Sequence, residues 1–148
     1  MAVPIVLLIS GPNLTLLGER QPEIYGTLTL ADHVETARQA AVEHGLGFEH
    51  LQSEAESDLV RAIHDARGRV AAIVINAGAL THYGWSIHDA LAAFAGPVVE
   101  LHLSNPEARE PWRRQSVIAP VADGTIAGFG GLGYRLAIDA AADLIQGS

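Results

Sequence analysis

The sequence predicts a three-layer α/β protein, a parallel sheet of five strands covered by helices on both faces, and three observations carry that expectation. Short β-branched apolar runs recur along the 148 residues, with Ile5-Val6-Leu7-Leu8-Ile9 and the stretch 70–75 the clearest. Between these runs lie segments whose apolar residues repeat at helical spacing, opened by cap-forming side chains and closed by glycine. Strands and helices that alternate over short links require right-handed crossovers, and those build parallel sheets.

The elements follow in order. Residues 4–9 read as a buried strand stopped by Gly11-Pro12. Residues 10–26 form a polar loop that is long for a compact domain, the kind that often carries function. Thr29 or Asp32 caps a helix to His44, with Val34, Ala37, Ala41 and Val42 expected inward, and Gly45 and Gly47 end it. Residues 48–52 make a second strand, and Ser57 or Asp58 opens a helix to Ala66 with Leu59, Ala62 and Ile63 inward. Residues 70–75 are the central strand, followed by a helix over 86–94 that Gly96-Pro97 breaks. Residues 98–103 are the fourth strand, 109–115 a short helix and 116–119 the last strand. A helix over 131–145 closes the chain, with Leu132, Leu136, Ala140 and Leu144 inward. This pattern predicts a flavodoxin-like strand order, 2-1-3-4-5, and one catalytic domain over 1–148.

Composition narrows the function. Net charge is −8, and the nine basic residues are scattered or sit near candidate site loops, which disfavours a nucleic-acid partner. No apolar run approaches the ~20 residues of a membrane span, and the N-terminus lacks signal-peptide zones, so a cytoplasmic location is expected. The absence of cysteine excludes thiol nucleophiles and thiolate-bound zinc. All nine basic side chains are arginine. Guanidinium does not lose its proton to form an iminium, so carbonyl chemistry here runs through an enol or enolate.

In such a sheet, ligands bind beyond the carboxyl ends of the strands, at the switch point between the first and third. Asn13, Arg20 and Tyr25 follow the first strand; Asn76, Thr81 and His82 follow the third. Glu100, His102, Ser104 and Asn105 end the fourth, and Arg109, Arg113 and Arg114 come next. Residues two apart on a strand share a face. Glu100 beside His102 therefore has the makeup of an oriented general acid, although an ordinary edge-strand ion pair has the same spacing.

Three other patterns are weaker. Gly128-Phe129-Gly130-Gly131-Leu132-Gly133 matches a dinucleotide-binding glycine pattern, but too little chain follows for the next strand and its acidic ribose ligand, so close packing of a turn and a helix explains it better. His82 and His88 do not have metal-ligand spacing, and no metal or cofactor is expected. Ser10 and Ser86 lack the context of a serine nucleophile.

Three segments together resemble the type II dehydroquinases. Gly11-Pro12-Asn13-Leu14-Thr15-Leu16-Leu17-Gly18, then Arg20-Gln21-Pro22 and Tyr25-Gly26, is similar to G-P-N-L-N-L-L-G, R-x-P and Y-G. Ile75-Asn76-Ala77-Gly78-Ala79-Leu80-Thr81-His82, with Asp89-Ala90-Leu91 beyond it, is similar to I-N-P-x-A-Y-T-H and a later Asp-Ala-Leu. Glu100-Leu101-His102-Leu103-Ser104-Asn105 and Arg109-Glu110-Pro111-Trp112-Arg113 resemble E-V-H-x-S-N and R-E-x-F-R. The segments occur in the family's order, and the family's length matches the whole chain.

The resemblance implies conversion of 3-dehydroquinate to 3-dehydroshikimate by eliminating water through an enolate, in aromatic biosynthesis or quinate breakdown. It implies Tyr25 as the base, His102 as the acid held by Glu100, Arg20 on a lid near Tyr25, and Asn13 serving the enolate oxygen. It implies that Asn76, His82 and Arg113 grip substrate hydroxyls, and that the backbone amides of Leu103 and Ser104 hold the carboxylate. It also implies a homododecamer built from trimers, with Asp89 reaching a neighbour's site. A free phenol of pKa ~10 is only about 0.1% ionised at pH 7, so the base role requires cations. Arg20 is expected as the main one, with Arg113 on the far side. Thr15, Leu80, Tyr83-Gly84-Trp85, His88, Glu107 and Gln115 depart from the family pattern without removing a proposed catalytic residue. An enzyme acting on a related cyclic hydroxy acid, a flavin-binding module and a non-catalytic assembly subunit remain as alternatives.

Overall fold

A computed structural model describes residues 2–147. Five parallel strands, β1 (Ile5–Ser10), β2 (Gly47–Gln52), β3 (Ala72–Asn76), β4 (Val98–His102) and β5 (Gly124–Ala127), form one sheet in the order β2-β1-β3-β4-β5. The helices are α1 (Pro22–Tyr25), α2 (Leu30–Glu43), α3 (Glu56–Ala66), α4 (Trp85–Ala92) and α5 (Leu132–Ile145). The expected α/β fold and strand order are those observed. Among the described residues no helix is long and apolar enough to cross a membrane.

The period-2 alternation of the strands divides the core into two layers. Val6 and Leu8 of β1, Val74 of β3 and Leu101 of β4 face α2 and α5. Leu7, Ile9, Ile73, Ile75 and Val98 face α3 and α4, where Leu59, Ile63, Ile87 and Leu91 meet them. Both faces are covered, so the central strands β1 and β3 read as unbroken apolar runs in the sequence. At α2 both predicted cap residues are used: Thr29 Oγ1 accepts from the Asp32 N–H at 3.2 Å, and the Asp32 carboxylate accepts from the Thr29 N–H at 2.9 Å.

Three expectations are corrected. The last strand is Gly124–Ala127, not 116–119. Val117 and Ile118 are buried, but they lie in a strap that crosses the sheet end, tied by the Val117 N–H donating to the Thr81 carbonyl at 2.8 Å. The true edge strand has a Gly-Thr-Ile-Ala sequence with little apolar signal. The buried faces of α2 and α5 are also rotated from those expected. His33, Ala37, Ala40 and Ala41 point inward from α2, and Gly133, Tyr134, Ala137, Ile138, Ala141 and Ala142 from α5. Val42 and Leu132 are exposed, while Leu136, Ala140 and Leu144 are partly buried at the flank. Alanine, with Gly133, makes up most of the inward faces beside His33, Tyr134 and Ile138, and the leucines of α5 lie at the edge of the contact. Finally, residues 109–115 contain only a 3-10 turn, Pro111–Arg114.

The glycine-rich turn before α5 packs closely. A side chain at Gly131 would meet the His33 ring at 2.7 Å, and one at Gly133 would meet Leu101 at 3.0 Å. Contact between turn, helix and sheet accounts for Gly131 and Gly133, and left-handed φ values of 93° and 60° account for Gly128 and Gly130.

Candidate active site

The site lies at the switch point, where the chain leaves β1 and β3 in opposite directions. The two outgoing loops touch backbone to backbone. A Cβ on Gly11 would stand 2.5 Å from the Ala77 carbonyl oxygen, and one on Gly78 would stand 2.9 Å from the Pro12 carbonyl oxygen. The Gly11 N–H donates to the Asn76 carbonyl at 2.8 Å. This contact brings Asn13 and Asn76 to one cavity, which they line with Arg20, Tyr25, His82, His102, Leu103, Ser104, Arg109 and Arg113. Asn13 has φ 69°, a left-handed conformation that asparagine tolerates. Its N–H donates to the Glu54 carboxylate at 2.8 Å, which fixes the loop from behind.

Residues 10–26 are more ordered than a plain loop. A 3-10 turn, Leu14–Leu16, follows Asn13, and Leu14 and Leu17 are buried in the core below. The single turn of α1, started by Pro22 and closed by Gly26 at φ 82°, presents Tyr25 to the cavity. The Tyr25 hydroxyl accepts from Arg109 Nη1 at 2.6 Å, and the same Nη1 lies 3.2 Å from Ser104 Oγ. The Arg109 and Arg20 guanidinium carbons stand 5.0 and 5.4 Å from the centre of the Tyr25 ring. The cation bonded to the phenol is therefore Arg109, not the expected Arg20 or Arg113. Arg20 lies over the ring. Arg113 pairs with Glu110 at 2.7 Å and lies over Trp112 at 4.1 Å. Sequence reasoning placed Arg109 near the site without giving it this contact, because the pairing spans 84 positions.

Glu100 and His102 share a face of β4, as their spacing predicts. His102 Nε2 lies 2.5 Å from Glu100 Oε2. A carboxylate accepts, so Nε2 carries the proton and Nδ1 is the ring nitrogen left for the cavity. The carboxylate is 98% buried by side-chain surface and also accepts from Ser116 Oγ at 2.9 Å and Thr125 Oγ1 at 3.3 Å. Burial pushes the Glu100 carboxyl up, but the hydrogen bond and charge of His102, together with Ser116 and Thr125, outweigh it and hold it below the usual carboxylate range. Ser116 and Thr125 were missed by sequence reasoning. Thr125 is the direct register partner of Glu100 in β5, a relationship hidden while β5 was misplaced.

His82 donates from Nδ1 to the Gln115 carbonyl at 2.6 Å, which leaves Nε2 as an acceptor when the ring is neutral. Burial pushes its pKa down, the Gln115 carbonyl opposes this, and the charges of His102 and Arg113 add to the lowering. Asn76 is buried and Leu103 is 4% exposed at the end of β4. Asp89 is exposed on α4 and is not among the residues lining this cavity. Of the sequence-predicted site residues, Asn13, Arg20, Tyr25, Asn76, His82, His102, Leu103, Ser104 and Arg113 line one cavity. Glu100 stands behind His102, and Asp89 lies apart. Among the described residues no cluster of three or more His, Asp or Glu side chains is placed to hold a metal ion. The cavity thus presents an arginine-bound phenol, an imidazole backed by a carboxylate, a second imidazole and two amides. That set can accept a proton, donate another and bind hydroxyl groups.

A profile described as class II dehydroquinase matches residues 4–142. The chain is 50% identical to a 3-dehydroquinate dehydratase of Aeromonas salmonicida over 136 residues, 92% of this chain and 91% of that one. It is 48% identical to 3-dehydroquinate dehydratase 2 of Pseudomonas putida over 143 residues, 97% of this chain and 96% of that one. The crystal structure of type II dehydroquinase from Propionibacterium acnes superposes with a TM-score of 0.89 at 41% identity, covering 93% of this chain and 95% of that one. That from Butyrivibrio crossotus superposes with a TM-score of 0.91 at 38% identity, covering 94% and 97%. With a match along nearly its whole length and the same fold, the chain belongs to the class II dehydroquinase family.

Proposed function

We propose that the protein is a hydro-lyase that converts 3-dehydroquinate to 3-dehydroshikimate without a metal or a Schiff base. The observation that carries the reading is the pairing of two proton-handling groups on one cavity, Tyr25 bound by Arg109 and His102 backed by Glu100. Relatives named for this reaction at about half identity support it.

In the proposed reaction the Tyr25 oxygen takes the proton from the carbon beside the ketone. The C–H electrons move into the ring, and the carbonyl oxygen becomes an enolate, with Asn13 serving that oxygen directly or through water. Arg109 stabilises the anionic phenol by a charge-assisted hydrogen bond, and Arg20 adds positive charge over the ring. The enolate collapses, the new C=C bond forms, and the C–O bond to the leaving hydroxyl breaks. His102, protonated, gives that oxygen its Nδ1 proton, and water departs. Glu100 stabilises the imidazolium before the transfer and keeps Nδ1 aimed at the substrate. Solvent returns the proton from Tyr25 to His102. Asn76, His82 and Arg113 bind substrate hydroxyls, and the amides of Leu103 and Ser104 the carboxylate.

The proposal includes a cytoplasmic homo-oligomer, a dodecamer of trimers in which Asp89 completes a neighbour's site. Two features support the assembly. Tyr83, Trp85 and Trp112 are each more than half exposed. Arg109 Nε is buried and makes no hydrogen bond among the described residues, the Glu110 carboxylate standing 3.9 Å away, while Asp89 is exposed. Light scattering at micromolar concentration tests the assembly, and a monomer would contradict it.

The conjugated enone product absorbs in the near ultraviolet. Purified protein given 3-dehydroquinate is expected to produce that absorbance. A flat trace, or faster turnover of a different cyclic hydroxy acid, would overturn the assignment.

A further inference from the structure

Tyr134 in the first turn of α5 is completely buried, and a buried phenol needs a polar partner. That partner is Asn76, whose Nδ2 lies 3.3 Å from the Tyr134 hydroxyl. On its other side Asn76 Oδ1 accepts from the Gly78 N–H at 3.2 Å. A backbone N–H can only donate, so it fixes which end of the amide faces Gly78. Nδ2 must then face Tyr134, whose oxygen accepts, and a flip of the amide would set two donors against each other at Gly78. The phenol is itself held: its ring stacks on His33 at 4.9 Å between centres and 3° between planes. Burial pushes the Tyr134 hydroxyl up to about 12, with the Asn76 hydrogen bond opposing, so it stays neutral across the working range. One Nδ2–H and one lone pair of Asn76 remain for other partners, and Asn76 lines the cavity.

We infer that Tyr134 is a positioning residue for substrate binding: it locks the Asn76 amide so that the remaining Nδ2–H donates to a substrate hydroxyl. The inference rests on the dehydratase reading. Tyr134 lies behind the cavity wall and acts through Asn76. Without its oxygen, Nδ2 keeps a buried proton with no acceptor. The amide then rotates to satisfy that proton, and its contact with substrate weakens. Because the substrate hydroxyl bond persists through the reaction, the loss falls on ground state and transition state alike, which raises KM rather than lowering kcat.

Tyr134→Phe removes one oxygen and keeps the ring on His33. The expected result is a rise in KM for 3-dehydroquinate of about 3–10-fold, the scale of one neutral hydrogen bond, with kcat and the pH–rate profile unchanged. Added to Asn76→Ala, the same substitution should raise KM no further. An unchanged KM, or an effect that multiplies that of Asn76→Ala, overturns the inference; a purely structural role would lower the melting temperature and leave KM alone. Wild-type turnover in the same assay separates the two readings, since failure of the dehydratase assignment shows as an inactive wild type. Should Tyr134→Phe fail to fold, the side-chain amide signals of Asn76 in wild-type protein decide. A contact with the Tyr134 ring, with one of the two Nδ2 protons shifting on product binding, supports it. No contact, or neither proton shifting, overturns it.

Discussion

Arg109 donates to the Tyr25 hydroxyl from 2.6 Å, whereas the Arg20 guanidinium lies over the ring at 5.4 Å from its centre. A hydrogen-bonded cation stabilises the charge on the oxygen itself, and one over the ring acts at longer range. Arg109→Ala is therefore expected to lower kcat by about 10²-fold, the low end for loss of acid–base catalysis, and Arg20→Ala by less. Arg109→Lys should recover only part, because an ammonium does not reproduce the planar fork. Steady-state kinetics of the three variants test this, and a larger kcat loss in Arg20→Ala would reverse the assignment.

The carboxylate behind His102 is bonded on both oxygens, so its removal should loosen the imidazole rather than delete the acid. His102→Ala is expected to cost about 10²–10⁴-fold in kcat, the usual range for one general acid. Glu100→Gln should cost less. A fully active His102→Ala enzyme would remove His102 from the mechanism.

One buried imidazole, His33, and two partly buried ones, His50 and His82, should lower stability in acid. Burial pushes the pKa of His33 down, with Asp32 partly opposing, and burial also lowers His50 and His82. The unfolded chain then binds protons first as pH falls, so these groups contribute stability above a pH of about 6.5 that is lost progressively below it. Glu100, held below the carboxylate range, adds a further loss only at lower pH. The melting temperature should fall between pH 7.5 and 5, and His33→Phe, which keeps the stack on Tyr134, should reduce that fall. An equal fall in His33→Phe and wild type would show that His33 does not contribute.

The chain has no lysine and no cysteine. Activity is expected to survive chelators, and to survive treatment with borohydride in the presence of substrate once the reagent is removed. Loss on either treatment would contradict an enolate route that uses only arginine, tyrosine and histidine.

Much of this was legible in the sequence because local rules carried it. The runs at Ile5–Ser10 and Ala72–Asn76, buried on both faces, announced a parallel sheet, and the switch-point rule then gathered Asn13, Asn76 and His82. Glu100 and His102 were paired by strand period alone. What stayed hidden depended on contacts between distant segments. The strap through Val117 and Ile118 is as apolar as a strand, while β5 at the edge is half exposed and weakly patterned. Misplacing β5 concealed Thr125. The Arg109 contact with Tyr25, the Glu54 clamp on Asn13 and the Tyr134 bond to Asn76 join residues 84, 41 and 58 positions apart. No periodicity marks such pairs.

The central claim is that the Tyr25 oxygen removes the substrate proton, and Tyr25→Phe tests it most directly because the ring and its packing remain. The measurement is kcat for 3-dehydroquinate alongside product affinity by calorimetry. The account predicts that kcat falls by about 10²–10⁴-fold while affinity is largely kept. A Tyr25→Phe enzyme that turns over near the wild-type rate would contradict it.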